Sequence, residues 1–193
     1  MMKRISFFLI LWMISGCGIF ETRDAEDPGD GSGIPFIQPD RPEVVILNIR
    51  NSIESMTTLN YIRSLSVEDF SFIPSGLATD NNPEIWASWS REEEETYFNN
   101  MRAATQNLSG HQLQIENENR TSLPNGDERI SANYTLTVNH NRTGAGIPTV
   151  ASGSFVMDLE QGEDGLWSVR EWTDNASGSS FTWSDFKAVF SRD

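Results

Sequence analysis

The spacing of the hydrophobic residues changes near residue 108, and this change limits the folds open to the chain. Before that position apolar residues recur every three or four places, as in Val45, Ile49 and Ile53, which is the period of an amphipathic helix. After it, apolar and polar residues alternate through 130–138 and 151–159, which is typical of strands with one buried face. The sequence therefore predicts helices first and an antiparallel sheet afterwards.

Three helices are predicted in the first half of the chain. Pro42 suits the first turn of a helix, and a second, short helix begins at Thr57 or Thr58. Ser90 and Glu93 have the spacing of a capping box and begin a third helix. The third helix is expected to bury a stripe of four residues, namely Tyr97, Phe98, Met101 and Ala104.

The acidic run Glu92–Glu95 has two interpretations. Adjacent carboxylates can form a metal or acid–base cluster. Carboxylates in the first turn of a helix also interact favourably with the positive end of the helix dipole. We adopt the second interpretation, which predicts a solvated helix start.

Turn signals divide the second half of the chain into four strands. They lie at residues 124–127, 144–148 and 162–165. The last strand, 166–173, does not alternate strictly, which indicates a β-bulge. A short strand at 70–73, a loop at 74–84 and a terminal helix from Thr182 or Ser184 complete the prediction.

Strands joined by hairpins form a sheet that twists and curls, and the helices must cover one of its faces. The predicted fold is an α+β domain over residues 42–193, in which N-terminal helices pack on a curved antiparallel sheet shaped like a cone.

The first residues of the chain predict where in the cell the protein is located. Residues 5–14 are apolar except for Ser6, and they follow Lys3 and Arg4. The run is shorter than the ~20 residues of a membrane-spanning helix and is typical of a signal peptide. The segment Ile14–Cys17 resembles the lipobox of bacterial lipoproteins.

That resemblance implies removal of residues 1–16 and lipidation of Cys17, which becomes the new N-terminus. Acyl chains then hold the protein on a membrane. The residue after the cysteine is Gly18 and not Asp, which resembles an outer-membrane sorting signal, so the expected location is the outer membrane, facing the periplasm. Residues 17–41, rich in Pro, Gly, Asp and Ser, are expected to form a flexible tether.

The composition excludes several classes of function. The chain has 14 Lys and Arg against 28 Asp and Glu, a net charge of −14, which argues against nucleic-acid binding and against adhesion to anionic lipid by charge alone. Its single Cys excludes an internal disulfide and a multi-cysteine metal site. We expect no metal and no cofactor.

Several segments resemble nuclear-transport-factor-2-like domains, a superfamily that includes ketosteroid isomerase and SnoaL-like proteins. The resemblance covers residues 42–190 and implies the cone-shaped fold. It implies no particular activity, because this superfamily includes enzymes, binding modules and assembly domains. The matching segments are Asn48-Ile49-x-x-Ser52-Ile53, Asn60-Tyr61-Ile62-x-x-Leu65, Phe70-x-Phe72 and Leu166-Trp167-Ser168-Val169-x-x-Trp172-Thr173-Asp174.

The candidate site residues fall into two sets, and none of them forms a recognisable catalytic motif. A pocket inside the cone is predicted to involve His111, Tyr134, Tyr61 and Trp167. A partner surface is predicted to involve Trp86, Trp89 and Trp183, since exposed Trp is enriched in binding hot spots.

Two functions from different classes remain open. The first is a membrane-anchored lipoprotein of the cell envelope whose domain is a non-catalytic binding or assembly module with an envelope protein partner. The second is a small-molecule-binding or isomerase/cyclase-like domain that uses the interior of the cone. A filled interior favours the first, whereas a pocket with convergent polar groups favours the second.

Overall fold

The computed structural model describes residues 34–178 and 180–192. The predicted signal peptide, Cys17 and residues 18–33 of the predicted tether lie outside them. The helices are α1 (Pro42–Ser55), α2 (Thr58–Arg63), α3 (Gly76–Asn81), α4 (Pro83–Trp86), α5 (Arg91–Ala104) and α6 (Trp183–Phe190), with a 3₁₀ turn at Thr143–Ala145. The strands are β1 (Ser71–Ile73), β2 (Gln112–Ser122), β3 (Glu128–Thr137), β4 (Val150–Gln161) and β5 (Trp167–Ala176).

The five strands form one mixed sheet in the order β1-β5-β4-β3-β2. Strands β2 to β5 pair as the predicted antiparallel hairpins. Strand β1 instead pairs in parallel with β5, with Phe72 opposite Trp172, so the prediction of a purely antiparallel sheet was wrong at this edge. Parallel pairing is possible because a long connection, which contains α5, separates the two strands.

The helices cover one face of the sheet, and this two-layer α+β arrangement confirms the predicted fold class. The alternating residues of β3 and β4 point into the core, and the predicted stripe of α5 is buried there. The capping box at Ser90 and Glu93 is present. On β5, Asp158 pairs with Glu171 and Leu159 with Val169, so one extra residue forms the predicted bulge.

Residues 74–84, predicted as a loop, contain two short helices. The Ser75 side chain accepts a hydrogen bond from the Ala78 amide and caps α3, while Pro83 begins α4. These are local helix-start signals, and they outweigh the loop-forming composition of the segment.

Residues 34–41 were predicted as the end of the flexible tether, but they pack on the domain. The Ile37 amide donates to Asn48 Oδ1 at 3.0 Å, and Asn48 Nδ2 donates back to the Ile37 carbonyl at 2.6 Å. The Trp167 amide donates to the carbonyl of Pro39 at 2.8 Å. Backbone groups of this segment thus have partners on α1 and β5, which a solvated tether would lack.

Candidate functional site

The C-terminal helix α6 fills the interior of the cone. It begins at a second capping box, formed by Thr182 and Asp185, and lies between α5 and the inner face of the sheet. Five of its side chains are completely buried, namely Trp183, Ser184, Phe186, Lys187 and Phe190. The interior that sequence analysis left open is therefore occupied by side chains.

A carboxylate from α5 meets a lysine from α6 inside the cone. Glu94 Oε2 accepts a hydrogen bond from the Tyr61 hydroxyl at 2.7 Å, and Glu94 Oε1 accepts one from Trp89 Nε1 at 2.7 Å. The Lys187 ammonium also donates to Glu94 Oε1. Both members of this ion pair have 0% exposed surface. We call Tyr61, Trp89, Glu94 and Lys187 the Glu94 cluster.

Aromatic rings surround the ammonium group of Lys187. Its Nζ lies 3.5 Å from the ring centroid of Phe72 and 4.0 Å from that of Trp172. The Tyr97 centroid lies at 5.9 Å. These distances lie within the range of cation–π attraction, which offsets part of the cost of removing the ammonium from water.

Burial changes the protonation behaviour of the cluster. Desolvation lowers the pKa of Lys187 to about 8, although the charge of Glu94 opposes this change. The pKa values of Tyr61 and Tyr97 are raised, first by desolvation and then by the negative charge of Glu94. Both phenols therefore remain protonated, and Tyr61 serves as a hydrogen-bond donor to Glu94.

A second buried group holds the N-terminus of α6. The Tyr134 hydroxyl donates to Asp174 Oδ1 at 2.7 Å and accepts from the Trp183 amide at 2.8 Å. Asp174 Oδ2 accepts from the Ser184 amide at 2.8 Å and from its hydroxyl at 2.5 Å. Desolvation raises the pKa of Tyr134. The negative charge of Asp174 thus lies at the positive end of the α6 dipole.

The four predicted pocket residues do not form one pocket. Tyr61 and Tyr134 are both buried, but they bind different carboxylates. His111 binds the Leu108 carbonyl at the start of β2, and burial lowers its pKa. Trp167 is half-buried against the edge of the core.

The predicted partner surface is wrong for two of its three residues. Trp183 is completely buried and Trp89 is 8% exposed. Trp86 is half-buried, and its Nε1 donates to the Ala78 carbonyl at 3.0 Å. The reason is mutual packing, since Trp86 and Trp89 both contact Phe72 in the core.

Sequence analysis also missed Glu94, because it treated Glu92–Glu95 as a solvated turn. Glu94 precedes Tyr97 by three residues and Phe98 by four, which places it on the buried stripe of α5. Lys187 shows a similar signal, since it lies four residues after Trp183 on the buried face of α6. The chain has only one other lysine, Lys3. A single lysine among the apolar residues of a helix was therefore the sequence signal that could have indicated a buried charge at Lys187.

Comparison with solved structures identifies the architecture. A protein from Novosphingobium aromaticivorans, named as a candidate aromatic ring hydroxylase, has a TM-score of 0.56 at 11% identity, covering 75% of this chain and 92% of that one. A candidate scytalone dehydratase from the same organism has a TM-score of 0.53 at 9% identity, covering 73% and 89%. A nuclear-transport-factor-2-like superfamily protein from Salmonella enterica serovar Typhimurium has a TM-score of 0.51 at 12% identity, covering 70% and 89%.

The fold is that of the nuclear-transport-factor-2-like proteins. At these identities the likeness concerns the architecture, and activity has to be argued from the site itself. No protein-family model matches the sequence, and the comparison with curated proteins found no match.

A shallow depression of about 330 Å³ opens where β3, β4 and β5 meet the segment after β5. Its lining residues carry no charged side chain; they are Asn133, Tyr134, Ser152, Gly153, Ser154, Ala176 and Ser177. Gly153 is required here, because a Cβ at this position would lie 2.3 Å from the Asn175 carbonyl oxygen.

Among residues 34–178 and 180–192, no group of three or more His, Cys, Asp and Glu side chains is placed to hold a metal ion. Within the same ranges, no helix has the length and hydropathy needed to cross a bilayer.

Proposed function

We propose that the chain is a lipid-anchored protein of the bacterial cell envelope whose domain is a non-catalytic binding module. The filled interior favours a protein partner while α6 is docked, so a small molecule enters the cone in this proposal only when α6 moves away. One observation carries this proposal: an ion pair and two phenols are buried at the centre of the cone, where α6 closes it. Perturbed ionisable groups inside a fold are more frequent at functional sites than in ordinary cores.

Energetics support a role for this cluster beyond stability. Removing two charges from water costs several kcal/mol per ion, and well-packed apolar residues in their place are often as stabilising or more so. A core whose only task was to fold would gain little from Glu94 and Lys187. A role in ligand recognition, after α6 moves away, would explain why Glu94 and Lys187 lie in the core.

Binding without catalysis is favoured by the state of the carboxylate. A general base needs a free lone pair within hydrogen-bond distance of its substrate. While α6 is docked, Glu94 accepts from Tyr61, Trp89 and Lys187 and has no exposed surface. When α6 moves away, Tyr61 and Trp89 still donate to the carboxylate. These bonds position the carboxylate for recognition of a donor or cation.

An isomerase-like activity is the second candidate, and one observation favours it. The pKa of Lys187 is lowered to about 8, and an amine with a pKa near neutrality can take up and release a proton. A binding module releases its bound molecule unchanged, whereas an isomerase converts it into another compound. Chromatography of the molecule after incubation with the protein distinguishes the two functions.

The membrane anchor is supported by the sequence alone. The single Cys of the chain follows a short apolar run with small residues before it. In this proposal, lipid on Cys17 holds the domain at the outer membrane, facing the periplasm. Residues 18–33 then separate the domain from the headgroups, and an envelope protein partner supplies or receives the bound molecule.

Access to the interior requires α6 to open, and Lys187 provides the test. After removal of residues 1–16 it is the only lysine of the chain. An amine-acetylating reagent applied to the full-length protein, followed by mass spectrometry, would measure how often Lys187 becomes exposed. Hydrogen exchange of the β3 and β4 amides would measure global unfolding in the same sample.

We expect acetylation of Lys187 to proceed at a rate well above that of global unfolding, because α6 opens while the sheet stays folded. Equal rates for the two processes would contradict the proposal, since the cone would then open only when the whole domain unfolds. If residues 1–16 remain attached, Lys3 can also be acetylated. Mass spectrometry distinguishes the two sites, because Lys3 and Lys187 lie in different peptides.

A further inference from the structure

The rings and carboxylate around Lys187 form a cation-binding cage, and we propose that this cage is a binding site for a small organic ammonium ion, which Lys187 occupies while α6 is docked. This inference rests on the proposed function, because it names the class of molecule that enters the cone. We call Phe72, Glu94, Tyr97 and Trp172 the ammonium cage.

The walls of the ammonium cage do not belong to α6. Phe72 lies on β1, Trp172 lies on β5, and Glu94 and Tyr97 lie on α5. Only the occupant, Lys187, comes from α6. If α6 moves away, the rings and the carboxylate remain together on the rest of the domain, with an acceptor and two close aromatic faces left free.

The distances suit an ammonium ion. The two nearest ring centroids lie 3.5 and 4.0 Å from Nζ, well inside the ~6 Å limit for cation–π attraction. Tyr61 and Trp89 donate to Glu94 at 2.7 Å and hold its carboxylate in place. A carboxylate and aromatic faces attract a cation through the ion pair and cation–π attraction, which a neutral molecule does not gain. Desolvation opposes this attraction and lowers the pKa of Lys187 to about 8, so selectivity for a cation has to be measured.

A second observation concerns the indole of Trp172. Its Nε1 is buried and has no hydrogen-bond partner in the part of the chain that the structure describes. An unmade hydrogen bond of a buried donor is costly, and the ammonium of Lys187 offers no acceptor. A ligand that carries an oxygen near its ammonium group would satisfy both the cage and this donor.

The variant Lys187→Ala tests the cage in the full-length protein. The substitution removes three carbons and the ammonium group, so n-propylammonium has the same non-hydrogen atoms as the part removed. We expect this ion to raise the melting temperature of the variant in a saturable way. The uncharged isostere n-propanol should bind at least tenfold more weakly.

Two controls separate cation recognition from the filling of a void. The variant Phe186→Ala opens an apolar cavity on the same helix, and it should not prefer n-propylammonium over n-propanol. In the double variant Glu94→Gln/Lys187→Ala the preference should be lost. The inference would be overturned if n-propylammonium and n-propanol bound equally to Lys187→Ala. It would also be overturned if neither bound to a variant that near-ultraviolet circular dichroism shows to be folded.

If Lys187→Ala does not fold, the inference can be tested on the protein without substitutions. There, 3-amino-1-propanol, which carries an ammonium group and an oxygen, should compete with Lys187 for the cage and increase the hydrogen-exchange rate of the α6 amides, a measurement with which the amine of the probe does not react. 1,3-Propanediol should leave that rate unchanged. No increase with the amino alcohol, or the same increase with both compounds, would overturn the inference.

The failures of the two proposals are distinguishable. Lys187 acetylation at the global unfolding rate, without added ligand, contradicts the proposed function but says nothing against cation selectivity in Lys187→Ala. Rapid acetylation together with no preference for n-propylammonium contradicts the ammonium cage and leaves small-molecule binding in the cone intact.

Discussion

Lys187 and Glu94, which are 93 residues apart in sequence, form an ion pair with no exposed surface on either side chain. The pair joins the last helix of the domain to α5. Each charge has further partners, which are the donors Tyr61 and Trp89 for Glu94 and the rings of Phe72 and Trp172 for Lys187.

Removing one partner of the pair should destabilise the domain. Lys187→Met leaves the Glu94 carboxylate buried without its counter-ion, and Glu94→Gln leaves the ammonium in the same position. Glu94→Gln should lower the free energy of unfolding by about 3–5 kcal/mol. Lys187→Met should cost less, because the lowered pKa of Lys187 means that the folded chain disfavours its positive charge relative to water. Urea denaturation, followed by circular dichroism, measures these values.

The double variant and a surface control complete this test. Glu94→Gln/Lys187→Met should cost less than the sum of the single changes, because neither charge is left alone. Glu95→Gln, at an exposed neighbour on the same helix, should change stability by less than about 0.5 kcal/mol. Additive effects of the two buried changes would show that the side chains do not interact.

The stability of the domain should rise with pH above about 8. The pKa of Lys187 is about 8 in the folded chain against an ordinary value of 10.5, so between these values the unfolded chain binds a proton that the folded chain lacks. Stability increases with pH wherever the unfolded state binds more protons. The rise should reach up to about 3 kcal/mol.

Near pH 10 a second effect opposes the first. The pKa values of Tyr61 and Tyr97 are raised in the folded chain, so the unfolded chain loses these protons first and stability falls. Denaturation at a series of pH values should therefore show a maximum. In Lys187→Met the rise should disappear while the fall remains, and a rise that persists in that variant would contradict the assignment to Lys187.

Gly153 should not tolerate a side chain. A Cβ there would lie 2.3 Å from the Asn175 carbonyl oxygen and 2.9 Å from the Tyr134 hydroxyl, and the first of these is backbone. We expect Gly153→Ala to destabilise by about 1–3 kcal/mol through overpacking. Gly144→Ala is the matched control, because nothing lies within 4 Å of its Cβ position. Thermal unfolding of the two variants compares them, and equal melting temperatures would refute the close approach.

Lipidation of Cys17 should determine where the protein is found. Cys17→Ser removes the thiol that takes the lipid, and this variant should move from the membrane fraction to the soluble periplasmic fraction. The exposed Ser177→Ala change should leave the membrane association unaffected. Immunoblots of fractionated cells would report the distribution, and a Cys17→Ser variant that stayed with the membrane would be evidence against the anchor.

The features that sequence analysis predicted correctly are those set by near neighbours along the chain. The alternation at 130–138 determines which side chains of β3 face the core, and Ser90 with Glu93 determines where α5 begins. Both depend on residues two to four positions apart. The order of the main elements and the α+β class follow from such local signals.

The features that it missed depend on contacts between distant segments. Only the tertiary structure decided that β1 runs parallel to β5, that residues 34–41 pack on α1 and β5, and that Trp183 is buried. The same holds for Glu94. Its position on a buried stripe follows from the sequence, but the folded chain alone brings Tyr61, Trp89 and Lys187 to its carboxylate. A sequence specifies which residues each helix or strand turns inward, whereas the energy of a buried charge depends on which partner the folded chain places opposite it.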